Sequence, residues 1–287
     1  MSITRLQNLK HLVAGGYRHY TRSHSVKHFE YETAVEIPPG LRNMRALQRI
    51  SFIDVKRSPD VLHEVGKLTQ LTRLCVMQMN HDATWEHFGD SLSNLRSSLR
   101  YLSIMQYTTE SSEQFNFLKD IAPPLYLQSM HLMGRLKELP GWFSTLSNLG
   151  SLSLRETYLE KEMIKAVLGK LPSLVSLKLY RLSYEGSELL FEKDQFLSLK
   201  QLVVDEIEAI DKIIFQQGGA PGLERLSLAL GSSKRQIFGI GNLKQLRKVE
   251  LYGDISDEGV EAVATLVSKE HPTNPPKVTR EDRFTET

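Results

Sequence analysis

One frame of apolar residues, L-x-x-L-x-x-L-x-L, recurs along this chain of 287 residues. Ten copies can be aligned, and the second-to-last apolar position of each copy falls at residue 12, 50, 74, 102, 130, 152, 177, 202, 226 or 249. After a first step of 38 residues, successive copies lie 22–28 residues apart. This repeat constrains the fold more than any local motif does, because a single repeat cannot bury its own apolar face and has to stack on its neighbours.

The period and the frame are those of leucine-rich repeats. The last two apolar residues of each copy alternate as they do in a β-strand, so their side chains point into the stack. Return segments such as residues 161–168 have the pattern of short helices. The sequence therefore predicts an α/β fold, a leucine-rich-repeat solenoid shaped as a curved horseshoe of about ten repeats. Its concave side is expected to be a parallel β-sheet, and its convex side short helices or irregular segments.

The repeats predict a solenoid domain over residues 1–255, followed by a capping helix over 256–270. Ser256 or Asp257 is a suitable N-cap, and Val260, Val263 and Val267 share one helix face. Residues 271–287 contain three prolines and no apolar period, which predicts a disordered tail.

The chain has no recognisable catalytic signature. It has a single cysteine, Cys75, which rules out a disulfide framework and a multi-cysteine zinc site. Phosphate-binding loops, nucleophile elbows, His-Glu-x-x-His and kinase motifs are also missing. We therefore expect no enzyme activity, no bound metal and no cofactor in this chain. The net charge of +2 also disfavours nucleic acid as a partner.

The sequence favours a reducing compartment inside the cell. The first residues lack the apolar core of a signal peptide, and no run approaches the 18 or more apolar residues of a membrane span. No Asn-x-Ser/Thr acceptor sequence occurs. Together with the lone cysteine, these features predict a cytoplasmic protein without a membrane span.

The residues that follow each strand pair are the first candidate site. They are predicted to form a line across the concave sheet and are Met77, Met105, Met133, Arg155, Tyr180, Asp205 and Tyr252. Methionine adapts to different shapes, and Tyr and Arg are frequent interface anchors. The line therefore predicts a protein-binding face. Two alternatives stay open, namely an ordinary surface and a line covered by neighbouring loops.

Basic residues in the first repeats are the second candidate site. Residues 1–100 contain 14 basic and 9 acidic residues, whereas residues 201–287 contain 11 and 14. The arginines at issue are Arg42, Arg45, Arg49 and Arg73. An insertion over residues 15–36 is rich in His, Arg and Tyr. We interpret it as a solvated basic loop, with a binding loop as the alternative.

Several segments resemble one family more closely than generic leucine-rich repeats do. They are Gly134–Phe143 (GRLKELPGWF), Leu182–Phe191 (LSYEGSELLF), Gly218–Glu224 (GGAPGLE) and Leu62–Leu71 (LHEVGKLTQL). These segments resemble the repeat region of plant coiled-coil NLRs, the nucleotide-binding, leucine-rich-repeat disease-resistance receptors. The resemblance extends over nearly all of residues 1–270 and concerns the repeat portion alone. We therefore expect either a fragment of a receptor or a truncated gene product.

The resemblance implies a role in plant defence. Repeats of such receptors recognise a pathogen effector or a modified host protein, and they hold the nucleotide-binding module inactive. Arg42, Arg45, Arg49 and Arg73 are then expected to contact an acidic surface of that module. A full-length receptor would bind ADP or ATP upstream of this chain. The alternative is a substrate adaptor or signalling scaffold that acts in trans.

Overall fold

The computed structural model describes residues 3–13, 34–58, 60–77, 83–106, 115–136, 138–205, 210–229, 235–253 and 255–281. They belong to two compact units. The first unit comprises residues 1–109 and 116–127, and the second comprises 110–115 and 128–286.

The first unit is built on four parallel strands that pair in chain order. The strands are β1 (His11–Val13), β2 (Arg49–Asp54), β3 (Arg73–Met77) and β4 (Tyr101–Met105). The return segments contain α1 (Val61–Val65) and α2 (Ala83–Asn94), with short 3-10 helices at Ile3–Arg5, Leu41–Asn43 and Asn116–Lys119. The apolar repeat residues pair with one another as predicted, for example Leu74 with Leu102. A register shift in β2 lies beside Phe52, whose φ is 58°.

The second unit contains twelve described strands. They are β5 (Ser129–Met133), β6 (Ser151–Arg155), β7 (Leu159–Glu160), β8 (Ser176–Leu179), β9 (Tyr184–Glu185), β10 (Glu188–Phe191), β11 (Gln201–Val204), β12 (Lys212–Phe215), β13 (Arg225–Ala229), β14 (Gln236–Phe238), β15 (Lys248–Tyr252) and β16 (Lys277–Glu281). The main sheet is parallel in the order β5–β6–β8–β11–β13–β15–β16. Leu152, Leu177, Leu202 and Leu226 pair in register across it.

These leucines form the core of the second unit and confirm the repeat register. All four are fully buried, and full burial of a leucine side chain stabilises a fold by roughly 1.5–3 kcal/mol. Phenylalanines fill the remaining interior, where Phe191 packs against Phe196 and Phe215 with ring centroids 4.9 and 4.8 Å away. Leucine at the same position of four successive repeats therefore helps to hold the stack together.

The return segments of the second unit change character along the chain. The first contains the 3-10 helix Gly141–Thr145, and the second, between β6 and β8, contains α3 (Lys161–Ala166) and a 3-10 helix, as the sequence predicts; a further 3-10 helix is Ile240–Asn242. The later segments instead contain β10, β12 and β14, which form a separate parallel sheet. Each of these strands ends in an apolar run with a phenylalanine, namely Leu-Leu-Phe, Ile-Ile-Phe and Ile-Phe. Isoleucine and phenylalanine suit a pleated surface.

The C-terminal region differs from the sequence prediction. Helix α4 (Asp257–Glu270) begins after Ser256, whose hydroxyl accepts a hydrogen bond from the Gly259 amide at 3.2 Å. The predicted disordered tail over 271–287 is wrong for residues 277–281, because they form β16 and pair in parallel with β15. Val278 takes the repeat position opposite Val249. The strand was missed because only one apolar residue marks it.

Candidate protein-binding site

The methionines predicted to line an exposed sheet face are buried. Met77 and Met105 of the first unit are 1% and 0% exposed, and Met133 of the second unit is 6% exposed. Tyr180 is also buried, at 2%. The expectation of an exposed methionine face is therefore wrong. In β3 and β4 every residue after the first is buried, and a flexible thioether packs readily into apolar surroundings.

The accessible residues of the first unit lie at the starts of its strands. His11, Arg49, Arg73 and Tyr101 share one register position on β1 to β4, and all are exposed or half-buried. The Arg73 guanidinium carbon lies 3.6 Å from the centroid of the Tyr101 ring. Among the described strand residues of this unit, the only carboxylate is that of Asp54, which is buried. This row is therefore positively charged, and it suits a negatively charged partner surface.

Two of the four predicted arginines are neighbours on the sheet, and the other two lie before it. Arg49 and Arg73 are direct neighbours on β2 and β3, and each has a buried Nε atom without a hydrogen-bond partner. Arg42 lies in the 3-10 helix before β2, where its Nε is 3.8 Å from Glu64 Oε1. Arg45 is exposed in the turn that follows. Arg49 and Arg73 are thus the pair best placed to bind a partner from the sheet.

In the second unit the structure brings together two predicted residues, Arg155 and Tyr180. They lie at the ends of β6 and β8, where the Tyr180 amide donates to the Leu154 carbonyl at 2.9 Å. The Arg155 guanidinium carbon is 4.9 Å from the centroid of the Tyr180 ring. A second pair of the same kind was missed from the sequence, with Arg135 5.0 Å from the Tyr158 ring. The sequence does contain a signal for this pair, because Arg or Tyr recurs one to four residues after the last apolar residue of these strands.

The turns that carry these pairs are held by a ladder of backbone hydrogen bonds. The Leu136 amide donates to Thr157, and the Tyr158 amide to Leu182, over 3.0 and 2.9 Å. The Thr157 hydroxyl, which is fully buried, donates to the Ser183 carbonyl at 2.8 Å. Tyr158 and Leu182 have φ values of 50° and 53°, a region that costs energy for residues other than glycine. The surface side chains therefore stand on a preorganised backbone.

We call this surface the arginine–tyrosine patch. Its accessible or partly accessible members follow strands β5, β6 and β8 and are Arg135, Arg155, Glu156, Tyr158, Arg181 and Leu182. Three of these six residues are arginines and one, Glu156, carries a carboxylate. Arginine and tyrosine dominate the energetic centres of protein interfaces, and preorganisation lowers the entropy cost of binding. The patch therefore has the composition and the backbone of a protein-binding site.

Asp205 and Tyr252 keep the register of the predicted row but differ in their surroundings. The Asp205 amide donates to the Leu179 carbonyl at 2.8 Å, which places it beside Tyr180. Tyr252 belongs to a separate polar network, where its hydroxyl donates to Glu250 at 3.3 Å. Burial, followed by the Glu250 charge, raises the pKa of Tyr252 well above its usual range. Tyr252 therefore acts as a hydrogen-bond donor within the fold.

Glu250 is the centre of that network on the last strands. Its carboxylate is 7% exposed and accepts hydrogen bonds from the Ser227 hydroxyl at 2.7 Å and from Lys248 at 2.5 Å. Lys248 also contacts Glu281 at 3.2 Å, which ties β16 to β15. Burial favours the protonated form of Glu250, but these hydrogen bonds outweigh it and lower the pKa of the carboxyl.

Other candidate chemistry is limited. Within the described ranges, no three His, Cys, Asp or Glu side chains are grouped so that they could hold a metal ion. Burial raises the pKa of the Cys75 thiol, which disfavours a reactive thiolate. Most of the His- and Tyr-rich insertion, residues 14–33, lies outside the described residues. Among the helices that the structure describes, none has the length and apolar character of a membrane span.

Comparison with known proteins agrees with this architecture. The chain matches the family described as "Leucine-rich repeat region" over residues 1–278. It is 30% identical over 270 residues to disease resistance protein Pik-2 of Oryza sativa subsp. japonica, which covers 83% of this chain and 25% of that protein. It is 25% identical over 236 residues to disease resistance protein RPM1 of Arabidopsis thaliana, covering 82% and 24%.

The chain spans about a quarter of the length of these curated relatives. One solved structure, the leucine-rich-repeat ectodomain of the receptor kinase GASSHO1/SCHENGEN3 from Arabidopsis thaliana, shares 15% identity with a TM-score of 0.30. The matched region covers 81% of this chain and 38% of the receptor kinase chain. A TM-score this low adds nothing to the assignment of the family. On the family match and the two disease resistance relatives, the chain belongs to the leucine-rich-repeat family and is a repeat region of the plant NLR type.

Proposed function

We propose that this chain recognises a protein, either a pathogen effector or a modified host protein, and that it does so in plant defence inside the cell. The observation that carries the proposal is the arginine–tyrosine patch. Two stacked Arg–Tyr pairs, Arg135 with Tyr158 and Arg155 with Tyr180, stand on hydrogen-bonded turns. Recognition would change the contacts of a two-state receptor and would require no chemistry in this chain.

Biolayer interferometry tests this proposal by measuring the binding of a panel of purified effectors to the purified chain. We expect at least one effector to bind and the double variant Arg135→Ala/Arg155→Ala to weaken its binding at least tenfold. Arg247→Ala is the matched control, because Arg247 is an exposed arginine of the same unit before β15. Equal binding by the double variant and the control would contradict recognition through the patch.

We further propose that the row at the starts of β1 to β4, namely His11, Arg49, Arg73 and Tyr101, contacts an acidic surface of the receptor's own nucleotide-binding module. Arg49 and Arg73 lie side by side, and no exposed carboxylate occurs among the described strand residues around them. In this proposal the module binds ADP or ATP, and the contact keeps it inactive. Screening by salt would weaken the contact, because the row is solvent-accessible.

The full-length receptor, expressed in leaves without an effector, provides the test. Arg49→Glu/Arg73→Glu is expected to cause cell death without a pathogen, because the charges that hold the inactive state are reversed. Arg45→Glu should stay silent if the sheet pair alone makes the contact. If the double variant accumulates normally but causes no cell death, the proposed contact is contradicted. A freestanding adaptor in trans, the second candidate, would instead show partner binding without any nucleotide-binding module.

A further inference from the structure

The small sheet β10–β12–β14 presents apolar side chains on its outer face. One side of the three strands is buried through Leu189, Ile213 and Ile237. The other side carries Leu190, Ile214 and Phe238, which pair in register from strand to strand. Phe238 is 45% exposed, and Leu190 and Ile214 are partly exposed. We call these three residues the outer row.

A partly exposed apolar row is unusual for a parallel sheet. Parallel strands occur almost always with both faces covered, because their connections place other elements over them. Contiguous apolar side chains on a surface also mark interaction sites more often than isolated ones do. The outer face of this sheet therefore has the character of a surface that becomes covered.

The charges next to the outer row indicate what covers it. Glu188 and Lys212 occupy the preceding outward position on β10 and β12, where Lys212 Nζ lies 2.8 Å from Glu188 Oε1. Their side chains are 38% and 42% exposed, so both charges reach solvent. A strongly acidic or strongly basic partner would meet one unfavourable charge here, whereas a surface with the same two charges in reverse order would match both.

We propose that the β10–β12 face docks against the same face of a second copy of this chain. A two-fold axis parallel to the strands, between β10 and β12, places β10 opposite β12 of the second copy. Glu188 then faces Lys212 of the second copy, and Leu190 faces its Ile214. Each contact occurs twice, as an isologous interface requires. The covered area is small compared with standard interfaces, so the association is weak.

Sedimentation velocity of the purified chain tests this proposal. The concentration series extends to roughly 1 mM, where weak complexes form. We expect a concentration-dependent monomer–dimer equilibrium. Ile214→Lys should weaken it at least tenfold. Val175→Lys, which alters an apolar residue 40% exposed before β8 in the same unit, should leave it unchanged. Circular dichroism establishes that each variant remains folded.

Charge exchange gives the sharper test of the axis. Glu188→Lys alone puts like charges opposite each other and should weaken the dimer at least fivefold. Adding Lys212→Glu restores opposite charges both within and between copies, so it should restore the dimer. A chain that stays monomeric throughout overturns the proposal, as does equal weakening by Ile214→Lys and Val175→Lys. Failure of the exchange to restore dimerisation also overturns it. None of these results depends on effector recognition.

Discussion

Single residues at one repeat position experience very different surroundings in this fold. Met105 and Arg155 both end a strand and follow a buried apolar residue by one position. Met105 is fully buried in the first unit, whereas Arg155 is half-buried in the second and stacks on Tyr180. A charge at the first position would lose its hydration, and a charge at the second retains it.

Met105→Glu is therefore expected to destabilise the protein by at least about 3 kcal/mol, because it buries an unpaired carboxylate. Arg155→Glu, at the equivalent position of another repeat, should change the free energy of unfolding by less than about 1 kcal/mol. Urea denaturation followed by circular dichroism measures both. Similar midpoints for the two variants would contradict the burial of the methionine position.

Glu250 is expected to make stability depend on pH. Its hydrogen bonds with Lys248 and Ser227 lower the pKa of the carboxyl below its ordinary value of 4.5. Its contribution is therefore complete above that value and is lost as pH falls through the lowered pKa. Glu250→Gln should differ most from the natural protein in its urea midpoint at pH 7, and the difference should shrink below about pH 4.5. A constant difference down to pH 3 would refute this linkage.

The sequence could predict the register of the strands but not the coverage of their surfaces. Leu152 and Leu177 are correctly assigned to the core because the repeat spacing alone determines their side. The spacing also placed Arg155 beside Tyr180. It could not show that Met105 is covered, because coverage depends on side chains from elsewhere in the fold. Tyr158 was missed because the turn that presents it has a positive φ, which no leucine pattern reveals.

At the scale of elements, β16 is a strand with little apolar content of its own. Its attachment depends on backbone pairing with β15 and on two ion pairs. Lys248 contacts Glu281 at 3.2 Å, and Arg280 contacts Asp257 at the start of α4 at 2.8 Å. The second of these is exposed and contributes little by itself. The strand protects the edge of β15, since unpaired edges invite other chains.

Deletion of residues 277–287 should lower the free energy of unfolding by roughly 1–2 kcal/mol, because it removes the Val278 side chain and the pairing with β15. Deletion of residues 282–287 alone is the control and should have no measurable effect. Differential scanning calorimetry compares the two truncations. Identical melting temperatures for both would mean that β16 does not contribute to the fold.

At the scale of the whole molecule, each repeat contacts mainly its neighbours in the stack. In the second unit, β6 pairs with β5 and β8, while β13 pairs with β11 and β15. The stability of such an array is a sum of repeat and interface contributions. A defect in one repeat is therefore expected to spread to adjacent repeats and to weaken with distance along the chain.

Leu152→Asp tests this expectation, because it places a charge at a fully buried position of β6. Hydrogen exchange measured by mass spectrometry should show strong loss of amide protection in β5, β6 and β8 and smaller loss in β13 and β15. Ser153→Asp, the next residue on the accessible side, serves as the control and should preserve protection. Uniform loss across the second unit would indicate all-or-none unfolding instead.

The small sheet also has a consequence for how such a chain can change length during evolution. From β8 to β13 the main sheet advances by one strand per repeat, and the small sheet from β10 to β14 does the same. Each added repeat therefore lengthens both sheets by the same strand spacing of about 4.8 Å. Duplication or loss of one repeat in this stretch would shift everything beyond it by one strand spacing and rotate it by the twist of one strand. Gene variants that differ by a whole repeat here would therefore change the reach and the direction of their distal surfaces by a fixed step.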